Sequence, residues 1–157
     1  MPTYFGRDYD RSLAQVRRAL DLEPNFFLAH YVLGMNYVEK GEFDKGIAAF
    51  ERCYQLEKQP WMLAGVGFGY ARAGKRQMAL QVISELENWS KIRHVSAGDI
   101  ALVYVALGDK ERALEWLEKA YQGRSQYMLF LKMGPMWDSL RADPRFQDLV
   151  RRVGFDR

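Results

Sequence analysis

From Asn25 onward, apolar residues recur at helical spacing: Leu28, Tyr31, Val32, Met35 and Val38. Gly41 then closes the run, because glycine accepts the left-handed conformation that ends a helix. A second run carries Phe43, Ile47, Phe50 and Tyr54 to about Glu57. Pro60 opens the next pair, where its missing N–H matters least. That pair covers Pro60 to about Ala73 and Arg76 to about Glu87. A third runs from about Val95 to Leu107 and, with Asp109 as N-cap, from Lys110 to Tyr121. No alternating apolar/polar run is bounded by hairpin turns, so the pattern predicts an all-α chain.

The pairs are copies of one pattern. Leu33-Gly34-x-x-Tyr37-x-x-x-Gly41 returns as Val66-Gly67-x-x-Tyr70-x-x-x-Gly74 and as Ile100-Ala101-x-x-Tyr104-x-x-x-Gly108. The turn glycines lie 74 − 41 = 33 and 108 − 74 = 34 residues apart. A fixed period of that length predicts stacked helix hairpins, none of which buries its apolar face alone. Small residues at Gly34, Gly67 and Ala101 would let the partner helix approach, with the three tyrosines filling the space between.

These residues, together with Gly46, Phe50 and Cys53, Ala79, Ile83 and Leu86, and Ala113, Leu117 and Ala120 after the three turns, resemble the tetratricopeptide repeat. Lys58 stands where that repeat often ends in proline, and Gly46 where it has alanine. The resemblance covers residues 26 to 122 and implies a right-handed superhelical solenoid of antiparallel helix pairs forming one domain over 1–157. Its parts are a second helix of a partial repeat (8–24), repeats at 26–58, 60–93 and 94–122, and helices capping the end (125–157). The segment 8–24, with Tyr9, Leu13, Val16, Ala19 and Leu20 and the ending Leu22-Glu23-Pro24-Asn25, has no first helix ahead of it. The chain is therefore expected to be a fragment of a longer protein, or this helix to act as a cap. Beyond residue 122 the pattern departs from the period, with Ser125 to Lys132, Met136 to Arg141 and Asp143-Pro144 onward as short helical stretches.

Asp109 to Tyr121, Phe130-Leu131-Lys132, Trp137 to Arg141 and Asp143 to Phe146 are similar to the ends of bacterial multidomain regulatory proteins. There such an array follows a protein-kinase or winged-helix DNA-binding domain. That likeness implies a missing effector domain, although no kinase or DNA-reading motif is present in this chain.

Composition narrows the function classes. Lys and Arg number 23 against 20 Asp and Glu, and the signs alternate along the helices, so no cationic face marks a nucleic-acid binder. No apolar run approaches the roughly eighteen residues of a membrane span, and no secretory leader opens the chain. The expectation is a cytoplasmic protein with no membrane partner. His30 and His94 lack neighbours at metal-ligand spacing, and Cys53 occupies a small-residue packing position. Gly65-x-Gly67-x-Gly69 lacks the strand and the further glycine of a phosphate loop. No catalytic residue, metal or cofactor is expected.

The family's groove positions carry over to Leu28, Tyr31, Met35, Val38 and Glu39, to Trp61, Ala64, Phe68, Ala71 and Arg72, and to Val95, Gly98, Leu102, Val105 and Ala106. Members that clamp a peptide carboxylate use Lys, Arg and Asn where this chain has Tyr31, Met35, Gly65, Val95 and Asp99, which argues against that mode. The resemblance implies a protein-interaction scaffold binding an apolar peptide or helix through Leu28, Tyr31, Met35, Val38, Trp61, Phe68, Arg72, Leu102 and Val105. Two alternatives stay open. The same aromatic residues would pack on the chain's own tail, on a neighbouring repeat or on a second copy, and the stripe Leu13, Val16 and Leu20 would form a homodimer of an autoregulatory module. Less favoured is nucleic-acid contact through Arg17, Arg18, Arg145, Arg151 and Arg152.

Overall fold

A computed structural model describes residues 8–154. The ends of the expected single domain, residues 1–7 and the last three residues of the expected capping segment, lie outside this range. The helices are α1 (Tyr9–Leu22), α2 (Phe27–Glu39), α3 (Phe43–Glu57), α4 (Pro60–Arg72), α5 (Arg76–Trp89), α6 (Ala97–Ala106), α7 (Lys110–Gln122) and α8 (Pro144–Val153), with 3-10 turns at Gln126–Phe130 and Pro135–Leu140. No strand occurs among the described residues.

Each hairpin packs α2 on α3, α4 on α5 and α6 on α7, and the first helices α2, α4 and α6 stack side by side. This is an all-α solenoid of antiparallel pairs. The turn glycines Gly41, Gly74 and Gly108 share φ values of 81°, 79° and 79°, so the three turns are one structure repeated. One continuous core runs the length of the array. Phe50 is fully buried and meets Tyr31 and Phe68 edge to face at 5.3 and 6.4 Å. Gly65 makes room for it: a Cβ there would come within 2.7 Å of the Phe50 ring and 2.9 Å of Tyr31.

Two expectations are corrected. Leu13 and Val16 are buried, because α1 packs on α2 and Asn36 Nδ2 donates to Ser12 Oγ at 2.9 Å across that contact. Their stripe already has its partner within the chain, and only half-buried Leu20 stays near the surface. A homodimer built on Leu13 and Val16 would have to unpack α1.

The tail, in turn, keeps the period. Asp143 caps α8 as Asp109 caps α7, and 143 − 109 = 34. Arg145 pairs with Glu111 (2.7 Å) and Arg152 with Glu118, each 34 residues apart. Arg72–Glu39 and Arg93–Gln59, 33 and 34 residues apart, likewise join neighbouring repeats, though from other positions in the unit. α8 thus stands as the second helix of a fourth unit. Its first helix is reduced to 3-10 turns because Pro135 removes a donor and disfavours helical geometry at Gly134. Arg141 satisfies the carbonyls this break exposes, donating to Leu131 O at 3.0 Å and Gly134 O at 2.7 Å. Leu131, Trp137 and Leu140 are completely buried beneath it.

Candidate functional site

The inner face is built from α2, α4 and α6, and much of it is closed. Met35, Val38, Phe68, Leu102 and Val105 are all buried. A side chain without accessible surface offers a partner nothing, so these five belong to the wall behind the groove. The reason is close stacking: α4 is sandwiched between the outer hairpins, and α6, packed on by α4, α7 and the Pro135–Leu140 turn, is buried from Gly98 to Val105. Arg72 is half-buried, bound to Glu39 at 3.0 Å, and stacks its guanidinium over Phe68 at 5.6 Å. It closes one end of the face.

The C-terminal segment closes the third-repeat stretch. Tyr127 rests directly on Gly98, where an added Cβ would lie 2.6 Å from its Cγ. Its hydroxyl donates to Asp99 Oδ1 at 2.8 Å, Ser96 Oγ and Ser125 Oγ are 2.8 Å apart, and Trp137 backs the ring at 6.2 Å. Burial raises the Asp99 carboxyl to about 6, although hydrogen bonds from Tyr127 and the backbone at Ser96 pull the other way. The Tyr127 hydroxyl is pushed up by the same burial and by the neighbouring Asp99.

What stays open is a rim at the N-terminal ends of α2 and α4. Leu28 is 47% exposed, and Trp61 and Tyr31 are half-buried with rings edge-on at 5.0 Å. The sequence reading missed two members. Phe27 meets Trp61 at 6.2 Å, and Phe26 meets Phe27 at 6.3 Å. A signal for them existed: Phe26 occupies the N-cap of α2, where a capping hydroxyl or carboxylate is the usual choice. His30 anchors the loop below through Nε2 and the Pro24 carbonyl at 2.8 Å.

Nothing in the rim has a nucleophile–base geometry. Burial lifts the Cys53 thiol to about 12, so it stays protonated and inert. An open cleft of about 620 Å³ between α7 and α8 is lined by Glu111, Glu115, Glu118 and Asp148, but its Arg145 and Arg152 are consumed in ion pairs.

Stacked antiparallel hairpins of this kind define an α-solenoid, a class built from repeats that each contact only their neighbours. Residues 28–60 and 96–122 match the tetratricopeptide repeat. These stretches cover α2–α3 and α6–α7, and α4–α5 between them repeats the same turn geometry. Such repeats are generally protein–protein interaction units. No helix among the described residues is long and apolar enough to cross a membrane.

Proposed function

We propose that the chain is a non-catalytic interaction module that seats an apolar peptide or helix on the rim formed by Leu28, Tyr31 and Trp61, extended by Phe26 and Phe27. The observation that carries this reading is the contiguous Phe26–Phe27–Trp61–Tyr31 aromatic chain at an open edge of the inner face. Aromatic anchors of this kind dominate interface energies. Peptides selected from a displayed random library on the intact chain should be rich in apolar residues. Trp61→Ala with Leu28→Ser should weaken them by about thirtyfold, whereas Lys75→Ala at the opposite, glycine-turn edge should not. Selected peptides that ignore the double substitution would refute the assignment.

A second reading is favoured by Tyr127 on Gly98: the tail is a built-in occupant of the third-repeat stretch, as an autoregulatory module would need. Deleting the Tyr127 ring should then lengthen the surface that a selected peptide covers, from α2 and α4 onto α6.

A further inference from the structure

A different surface lies at the loop end of the C-terminal half. The α5–α6 loop and the segment after α7 are neighbours there, joined by Ser96 to Ser125 and by Tyr127 on Gly98. Residues 88–98 and 119–137 contain no Asp or Glu. Of their five cations, Lys119 lies over Trp116 and Lys132 has contacts of its own; the other three are Lys91, Arg93 and Arg124, all exposed. Among the described residues none of these three pairs with a carboxylate: Lys91 reaches Asn88, and Arg93 reaches Gln59 and lies over Trp89.

The apolar side chains on this surface point the wrong way for a solvated loop. In the Gln126–Phe130 turn and its continuation, Met128 and Leu131 fill the core. Leu129 and Met133, 61% and 59% exposed, are equally apolar and face outward, and Ile92 on the adjoining loop is 83% exposed. Single exposed apolar residues need no explanation, but a cluster interleaved with cations does.

We infer that this loop surface docks on an anionic lipid bilayer. The apolar tips sit in turns and a 3-10 stretch and are each more than half exposed, which suits insertion at the headgroup boundary. A polyanion such as nucleic acid would gain nothing from three aliphatic tips. Lys91 and Arg93 flank Ile92 directly in the chain, and cations beside an inserting tip complement the surface charge of anionic lipids. Expecting no membrane partner followed from the lack of a long apolar run, a criterion that detects spans and not loops.

The test is flotation of the full chain with phosphatidylcholine vesicles, with and without about one-third phosphatidylserine. Three cations should favour the anionic vesicles by roughly a hundredfold at low salt, falling as salt screens them. Lys91→Glu with Arg124→Glu should remove that preference. Ile92→Ser with Leu129→Ser should lower binding about tenfold or more at every ionic strength. All four positions are exposed, so unchanged far-ultraviolet circular dichroism is expected and confirms folding. The proposal is overturned if the wild type ignores phosphatidylserine or binds neither vesicle, or if either double substitution has no effect. Retention on single-stranded DNA that survives Ile92→Ser with Leu129→Ser, without vesicle binding, would assign the patch to a polyanion and equally overturn it.

Discussion

Gly98→Ala is the sharpest perturbation of the way the tail closes the array. A methyl group at residue 98 would overlap the Tyr127 ring and lie 3.0 Å from Tyr127 Cβ, so rotating the ring alone does not relieve it. Trp137 blocks retreat on the far side. Overpacking of this kind costs about 1–3 kcal/mol. If the ring leaves, buried Asp99 loses its donor, at about 1–3 kcal/mol more. Alanine's helix preference returns at most about 1 kcal/mol. The net is a destabilisation of about 1–5 kcal/mol, centred near 3. Urea unfolding monitored by tryptophan emission reads it, since Trp137 is buried behind the ring. The decisive form is a cycle with Tyr127→Ala. In that background Gly98→Ala should cost nothing or stabilise slightly, giving a coupling of about 2 kcal/mol or more. An equal cost in both backgrounds, or no cost in either, would refute the seating of Tyr127 on Gly98.

Asp99 should impose a pH dependence. Its folded value near 6 exceeds the usual 3.8, so the folded chain holds the proton more tightly. The stability from that proton is complete below about pH 4 and is lost as pH rises through about 6, by up to roughly 3 kcal/mol. Glu111, Glu118 and Asp143 are held low by Arg145 and Arg152, and they act the opposite way only at lower pH. Melting temperature should therefore fall between about pH 4.5 and 6.5, and Asp99→Asn should flatten the slope; a slope unchanged by that substitution would contradict it. Phe50→Ala removes the ring against which Gly65, Tyr31 and Phe68 pack, and thermal denaturation should show a loss of about 3–5 kcal/mol.

Much of the fold was legible because punctuation and period agreed. The turn glycines, Pro60 and Asp109 mark local backbone requirements that hold whatever surrounds them. The tail was harder to read, since Ala142 replaces the turn glycine and Gly134-Pro135 breaks the first helix; only the Asp143 cap kept the 34-residue register. Val38, Phe68 and Leu102 were misplaced on the groove for a different reason. Helical period says which residues share a face, but not how closely the next hairpin covers it. Leu13 and Val16 show the same limit, because an apolar stripe does not reveal whether α2 or a second chain will cover it. The rim extension depended on Phe27 meeting Trp61, 34 residues away, and on Phe26 meeting Phe27; the unusual N-cap at Phe26 was the one local sign of it.

The most direct test of the rim as partner seat is hydrogen exchange of the intact chain, free and bound to a library-selected peptide. Protection is expected at the starts of α2 and α4, around residues 26–32 and 60–65. Protection confined to α5 and α7, or to residues 91–133, would contradict it.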